Sequence, residues 1–587
     1  MAVSGTGQFK VDSALGELYV DEGEVTVTGD AGGFNVTFGA YEIPGTSDVS
    51  TAPVRVGYDG FGPATLTLVG GGDGVSLTVE DDETARFPAT IQVGVGGQTG
   101  AHDADGTLNI TAGARVVSRN SGEYDPALGF TDGGSYNVVI GRRGAGEVTV
   151  DGAGSFLGAY GAEPRITVGW DGGEGALDIL NGGDAGTARL EVGRGDGSTG
   201  RVLVSGAGST LLINNDYGVN QFFDGRDNSV YGPSNPIGRQ GGDGTLEIAD
   251  GGVVTISNVD GLTDSIQLDV GQDYASTGRV IVHGAGATLN ISQIGPVDDG
   301  VSGNAGLKIG RGGRGVVDIY DDGVVNVTGG DAFVSIGRVR DDQATSRSNQ
   351  LNISDGGALN IDSFTYAGGG MNIAQDIGTN GIVTVEGEGS AINIMSDASA
   401  ETAPDFGAFL QVGRRGDGEL FVLDGADITI DGGGDEFPVF FVGVGEEDGS
   451  VAANGYAKIS GAGSTVTVTG DNPDGAAFVA VGRREGAYGS LVIDEGGVLT
   501  ATGAMEIAGS APGRTGDNGT AGNVLVTGEN SKIDIGEDLT VSADIVDLDR
   551  TIDTSTGGAG RLDVEFGADV AAERIFVGDR GAVGVRE

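Results

Sequence analysis

The residue types that could do chemistry are few in this chain, and that scarcity is the first constraint. There are two histidines, His102 and His283, and no cysteine. A zinc site needs several His or Cys ligands at short spacing, so one is excluded in practice. A serine nucleophile would need a base, and His283, at the end of the run Val280-Ile281-Val282, is its only candidate source. No phosphate-cradling Gly-x-x-x-x-Gly-Lys-Ser loop occurs. Lysine is confined to Lys10, Lys308, Lys458 and Lys532. No catalytic residue and no organic cofactor site is assigned.

Carboxylates are the abundant group. Paired acids stand at Asp81-Asp82, Asp298-Asp299, Asp321-Asp322, Asp341-Asp342 and Asp435-Glu436. Hard cations such as calcium take six to eight oxygen ligands, so these pairs are the candidate metal positions, with calcium optional and not required. Runs such as Gly71-Gly72-Asp73-Gly74 only half match a calcium-binding nonapeptide and lack its tandem period. A second set is aromatic. Tyr217, Phe222, Phe223 and Tyr231 lie among Asn, Asp and Gly in an irregular stretch, a composition suited to stacking on sugar rings or to packing over a flank.

Arginine follows a recurring Val-Gly phrase at Arg142, Arg194, Arg311, Arg338, Arg414 and Arg483. If copies of the phrase stack, these guanidiniums form a row. Such a row could grip anionic polysaccharide, or could be tied to turn acids such as Asp196 and Asp417. The acidity of the chain favours the second reading.

The phrase itself organises the molecule. It reads Val138-Val139-Ile140-Gly141-Arg142, then Leu190-Glu191-Val192-Gly193-Arg194, Leu307-Lys308-Ile309-Gly310-Arg311, Leu410-Gln411-Val412-Gly413-Arg414 and Val479-Ala480-Val481-Gly482-Arg483. With the weaker Val-Gly copies between them counted, such as those before Trp170, Gln272 and Val444, successive phrases are roughly 24–47 residues apart, the period of a solenoid. One unit runs Gln411-Val412-Gly413, then Glu419-Leu420-Phe421-Val422, then Ile428-Thr429-Ile430, with Gly and Asp turns between. Each piece alternates apolar and polar residues, the period of a strand with one buried face. Two turn types recur before the third piece. One is acidic-Gly-Gly, as in Asp250-Gly251-Gly252, and the other is Gly206-Ala207-Gly208-Ser209, with Gly284-Ala285-Gly286-Ala287 as a variant. Their expected role is geometric, small residues permitting a sharp corner.

The sequence therefore predicts an all-β chain, a right-handed parallel β-helix forming a three-sided solenoid of about fifteen rungs. Residues 1–587 are read as one continuous solenoid, with irregular insertions near 118–136 and 214–240. The final phrase, Val577-Gly578-Asp579, breaks off within a repeat and reads as a cut end. Glycine is plentiful at 117 residues, but without a three-residue period, which excludes collagen. Hydrophobic residues at 38% in alternating positions exclude disorder.

The combination of Val-Gly-Arg, Gly-x-Leu-x-Ile and Gly206 to Leu211 resembles the repeats of autotransporter passenger domains. It is also similar to repeats of exported bacterial proteins carrying PEP-CTERM-type sorting tags. The resemblance covers nearly the whole chain and implies a β-helix on an extracellular or cell-surface bacterial protein, without implying an activity. No terminal series of amphipathic membrane strands and no sorting tag is seen.

Composition bounds the partners. With 85 acidic against 32 basic residues the net charge is −53, so nucleic acid and membrane insertion are not expected. The absence of cysteine leans towards export. The expected function is an extracellular structural or adhesive rod of a bacterial surface, filament or biofilm matrix. It would act by repeat stacking and presentation, with self-association or continuation of the solenoid and polysaccharide as partners. The alternatives are a polysaccharide-active β-helix enzyme and a phage fibre or tailspike segment.

Overall fold

In the computed structural model the described residues are 2–4, 9–12, 17–20, 23–28, 34–38, 40–42, 49–51, 54–58, 63–70, 75–80, 90–96, 104–120, 137–161, 164–214, 234–258, 265–293, 304–338, 348–364, 369–396, 407–433, 437–445, 453–470, 477–484, 486–509, 520–542, 544–545, 552–553, 558–578 and 580–586. They form two compact units, 1–296 and 297–587. Among the described residues there is no helix.

Each turn of chain in either unit passes through three strands. One turn is Arg189–Arg194, Thr199–Ser205 and Thr210–Asn214. The first strand joins the Val-Gly sheet, the second the middle sheet and the third the third sheet. Each pairs in parallel with its counterpart in the following turn: Val192 with Ile237, Val202 with Leu246, Leu211 with Val254. The architecture is the three-sided parallel β-helix that the sequence predicts. The middle sheet has eight mutually parallel strands in the first unit and nine in the second, slightly more than the fifteen rungs expected.

The core follows from period two. In Thr199–Ser205 the inward Val202 and Val204 are fully buried while Arg201 and Leu203 are half-buried on the outer face. Val192, Leu211 and Ile213 close the same rung from the other two sheets. Because strands are parallel and in register, Leu and Val meet Leu and Val one rung on, each burial worth about 1.5–3 kcal/mol. Polar side chains ladder too. On the third sheet Asn360 donates its amide to Asn326 at 2.8 Å, and Asn393 donates to Asn360 at 2.9 Å.

The glycine of the Val-Gly phrase is demanded twice. Gly193 has φ 66°, a conformation costly for residues with a Cβ. A Cβ there would also run into the backbone carbonyl of Asp243, on the middle-sheet strand of the next rung. The chain can leave the Val-Gly sheet and cross closely over its neighbour only if this side is bare. Ala374 occupies the equivalent place after Met371-Asn372-Ile373 and keeps φ 54°.

The two turn types do more than permit a corner. Ser209 of the Gly-Ala-Gly-Ser turn donates to the carbonyl of Ser205 at 2.7 Å and accepts the N–H of Gly182 at 3.0 Å, from the Asn181-Gly182-Gly183 turn one rung earlier. Ser464 repeats this with Ser460 and Gly425, and Ser531 with Thr527 and Gly496. Each serine is thus a clip between consecutive rungs, satisfying a backbone donor that the tight turn would leave orphaned. The variant ending in Ala287 lacks the hydroxyl.

Three features depart from the sequence expectation. The first strands do not open the parallel stack: Phe9–Asp12 and Glu17–Val20 pair antiparallel, and Ala2–Ser4 lies antiparallel to Thr26–Thr28. The expected insertion 214–240 contains a rung strand, Ser234–Arg239, whose Ile237-Gly238-Arg239 is a further copy of the phrase, disguised by Pro236. Residues 118–120 likewise belong to the third-sheet strand Arg115–Asn120.

Replacing Ser209 with Ala should destabilise the first unit by about 1 kcal/mol, the loss of the hydrogen bonds that the hydroxyl makes to Ser205 and to the half-buried Gly182 N–H. Ala287→Ser, which supplies the missing clip to Gly251, should stabilise by about 1 kcal/mol. Thermal melts of the two variants beside the parent check this, and equal melting temperatures would remove the clip's role.

Candidate functional site

On three successive Val-Gly strands of the first unit, five charged side chains gather on the outward face and the corner of the sheet: Arg165, Arg189, Glu191, Arg194 and Arg239. The strands are Arg165–Trp170, Arg189–Arg194 and Ser234–Arg239. Alternation sends Ile166, Val168, Leu190, Val192 and Ile237 inward, and so sends Arg165, Thr167, Arg189 and Glu191 outward. Register sets Arg165 beside Arg189 and Thr167 beside Glu191. Past the positive-φ glycine, Trp170, Arg194 and Arg239 fall in one row.

Four guanidiniums converge on one carboxylate. Glu191 Oε2 lies 3.3 Å from Arg165 Nη1 and 3.1 Å from Arg194 Nη1, while Oε1 lies 2.8 Å from Arg189 Nη2 and 3.1 Å from Arg239 Nη1. Glu191 is 0% exposed, Arg165 2% and Arg189 3%. The corner row continues the network. Trp170 is flanked by Arg142 at 3.8 Å and Arg194 at 5.5 Å from its ring centre, cation–π contacts from the rungs on either side. Arg142 and Arg143 pair with Asp171, and Arg239 reaches Asp273 at 3.7 Å. Arg194 donates to Gln240 at 3.2 Å.

The electrostatics decide what this constellation can do. Burial alone would push the Glu191 carboxyl up, but Arg165, Arg189, Arg194 and Arg239 together hold it well below the usual carboxylate range. Burial pushes Arg189 down, against the attraction of Glu191, to about 9, which leaves it charged at neutral pH. A carboxylate accepting from four guanidiniums and shut from water has little affinity for a substrate proton. It is unsuited to general acid or base work, which needs a pKa near the working pH. Its action is mechanical: Glu191 fastens three rungs, through Arg165 on one side and Arg239 on the other.

In the second unit the corresponding outward positions mix polar groups, such as Lys308, Gln411 and Glu506, with an apolar group of neighbours. Val439, Phe441 and Ala480 form a buried cluster with Phe409 and Phe478 against it. Arg483 lies 4.7 Å from the Phe478 ring centre and 5.2 Å from that of Phe441, and pairs with the buried Glu506 at 3.7 Å. Lys308 and Arg338 sit over Phe333.

The arginine row anticipated from sequence is therefore present, with Arg311 beside Arg338 and Arg483 beside Val444. Its partners differ in part from those expected. Arg194 pairs with Glu191 of its own strand, not Asp196, and Asp417 accepts the Asn454 amide at 2.7 Å. Turn acids do hold Arg142 and Arg239, through Asp171 and Asp273. Arg165, Arg189, Glu191 and Arg239 carried no sequence signal as a group, because they are scattered over 75 residues and meet only by register.

Of the paired acids, Asp321 and Asp322 are exposed turn residues with φ of 50° and 62°. They act as backbone punctuation. Among the described residues no group of three or more His, Cys, Asp or Glu is placed to hold a metal ion. Asp81, Asp82, Asp298, Asp299, Asp341, Asp342, Asp435 and Glu436 lie outside the described residues, as do Tyr217, Phe222, Phe223, Tyr231 and His102. His283 lies 3.2 Å from Glu247 on the neighbouring middle-sheet strand.

Replacing Glu191 with Gln should cost about 3–5 kcal/mol at neutral pH, because the guanidiniums lose the charge that justifies their burial. The depressed folded-state pKa gives the sign of the pH effect. Glu191 contributes fully above the unfolded carboxyl value of about 4.3, and the contribution is lost as pH falls through the folded value. The gap in melting temperature between the parent and Glu191→Gln should thus be widest at pH 6–7 and shrink below about pH 4. A gap constant from pH 7 to 2.5 would contradict this assignment.

No protein-family description matches the chain, and no curated protein matches it. Among solved structures it is similar to a TibC-catalysed hyper-glycosylated fragment of TibA, at 13% identity over 77% of this chain and 98% of that one. The TM-score is 0.28, too low to carry an argument about this chain.

Proposed function

We propose that this chain is a structural or adhesive β-helical protein of a bacterial surface, filament or matrix, acting through a stacked, stiff and acidic surface and not through catalysis. The observation that carries the reading is where the unlike charges go. Their densest convergence among the described residues, around Glu191, is buried and saturated, and it ties rungs together. An enzyme would turn such a constellation toward substrate. The outward face of the third sheet instead carries many Thr and Asn side chains, such as Thr210, Thr255, Asn290, Asn326, Asn360 and Thr429, a surface suited to presentation.

The opening rung of the first unit and the last rung of the second differ, and this bears on self-association. Two of the three strands of the first unit's opening rung, Glu17–Val20 and Gly23–Thr28, carry an antiparallel strand on their outer edge. In the rung nearest residue 587, Ile575, Val577, Val583 and Val585 stand in the rows of core residues yet are 43–76% exposed. Exposed strand edges with an apolar row are templates for further pairing. Self-association through pairing at that exposed edge is proposed.

Secretion is part of the reading. A surface or matrix role would be overturned if the protein, expressed from its native full reading frame, stayed wholly inside the cell. For self-association, analytical ultracentrifugation should show a concentration-dependent larger species, which Val583→Asp with Val585→Asp abolishes. A strictly monomeric parent at high concentration, with and without calcium, would sink this proposal.

Calcium enters as a screening partner. Stacked rungs bring like charges to about 5 Å along a ladder, each pair repelling by about 1 kcal/mol or less in a solvated surface. Millimolar calcium should therefore raise the melting temperature at low ionic strength, and molar sodium chloride should remove most of the gain. No gain in low salt would end this proposal, and a gain undiminished in molar salt would replace it with specific sites.

A further inference from the structure

On the middle sheet of the second unit, three aromatic rings step diagonally across the outward face, one per rung. Phe421 lies on the strand Asp417–Leu423, Tyr456 on Ala453–Ser460 and Tyr488 on Ala487–Asp494. Register puts Tyr456 beside Glu419, two residues before Phe421, and Tyr488 beside Asn454, two residues before Tyr456. Phe421 and Tyr456 have ring centres 5.8 Å apart, tilted by 55°. Tyr488 is 44% exposed, and its hydroxyl accepts the Asn523 amide at 3.1 Å. Among the described residues of this unit the same rows hold no other aromatic, only polar groups such as Asn352, Thr384 and Ser490 and aliphatic ones such as Val316, Ile382 and Val492, so the aromatics are not part of the repeat. They also contribute nothing to the interior, which lies on the other face of these strands.

Along the track runs a shallow groove of about 580 Å³, lined by Asn380, Asp417, Glu419, Asn454, Tyr456 and Tyr488 among others. Its polar groups are the amides of Asn380 and Asn454, the carboxylates of Asp417 and Glu419 and the hydroxyls of its serines and tyrosines, and no Arg or Lys lines it. The nearby Lys458 is held 3.0 Å from Asp494. Asn454 is oriented by its bond to Asp417 at 2.7 Å, which leaves the exposed Glu419 and the second oxygen of Asp417 as acceptors.

We infer that this track is a binding platform for an extended, uncharged oligosaccharide. A pyranose has an apolar face of C–H groups and a rim of hydroxyls. The first suits exposed aromatic rings, and the second suits carboxylates that accept and amides that do both. A rigid parallel sheet fixes the rings without cost in order at binding. Charge sets the class. A uronate or sulfated glycan would bring anions against Asp417 and Glu419 with no guanidinium to receive them, in a chain of net charge −53. The inference deepens the adhesive reading above and rests on it for its biological role, but not for its geometry.

The test uses the full chain and the hexasaccharides of β-1,4-linked glucose, β-1,4-linked mannose and β-1,4-linked N-acetylglucosamine, with hexagalacturonate as the charged comparison. Saturation-transfer NMR on the parent should show transfer to ring C–H protons of at least one neutral hexasaccharide and none to hexagalacturonate. Titration should give an affinity that Tyr456→Ala with Tyr488→Ala lowers at least tenfold, with the melting temperature held. If that double variant melts early, Tyr488→Ala alone, at an exposed side chain, should still lower affinity several-fold. The inference is overturned by no binding of any neutral hexasaccharide at millimolar concentration, by equal binding of hexagalacturonate, or by binding that survives the substitutions in folded protein. Beads coated with the protein separate the two levels. Beads that still adhere to bacterial or host surfaces after the tyrosines are removed overturn the platform's part in adhesion and leave the adhesive reading standing. Beads that never adhere, beside intact glycan binding, remove the adhesive reading and keep the platform.

Discussion

In-register parallel stacking is the constraint on which the rest of this structure depends. Strands flanked by rungs on both sides find their backbone partners one rung away, so each side chain is held beside its counterpart in the neighbouring turn. Inside, that rule is favourable, because Val, Ile and Leu stack on their like and exclude water. Outside it is demanding, because it also sets like charges side by side in a chain that is strongly acidic. The corners are demanding for a different reason. The chain must leave one sheet and pass close over the next rung, which requires a bare backbone at positions such as Gly193.

The structure answers these demands with local devices of different kinds. Amides ladder where an uncharged polar group is tolerated, as in Asn326, Asn360 and Asn393. Serines clip turns of alternating type, each hydroxyl serving its own turn as donor and the preceding rung as acceptor. Where arginines do stack on the Val-Gly sheet, Trp170 separates two of them and Glu191 gathers four. That last arrangement is weak evidence for net stability, since burying ions costs several kcal/mol each. Its value lies in specificity. A one-residue slip would leave a buried charge without its partners, so the cluster fixes register where an apolar ladder would tolerate a shift.

The two units use the same sheet for different purposes. In the first, the outward Val-Gly face carries the ion network; in the second it carries Phe409, Phe441 and Phe478 with Arg483 over the rings. The middle sheet of the second unit breaks its polar repeat at Phe421, Tyr456 and Tyr488. In a repeat protein, departures from the repeat identify where something other than stacking has been selected, because stacking alone is served by the consensus.

Much of the fold was legible in the sequence. The period-two alternation of Leu420 and Val422 or Val202 and Val204, punctuated by Gly and Asp, is local information and defines strands, turns and the number of sheets. The Val-Gly-Arg copies likewise define the rung, because the glycine's φ is a property of its own residue. What local pattern cannot supply is which rung lies beside which. Pro236 hid one copy of the phrase, and an irregular stretch therefore seemed to contain no rung. The antiparallel opening pair Phe9–Asp12 and Glu17–Val20 shares its alternation with parallel strands, since side-chain period is the same in both. The meeting of Arg165, Arg189, Arg194 and Arg239 on Glu191, and the diagonal alignment of Phe421, Tyr456 and Tyr488, depend on lateral pairing across turns of unequal length. Only the tertiary structure decides that, because inter-rung hydrogen bonds are made between residues whose separation in sequence carries no information about their separation in space.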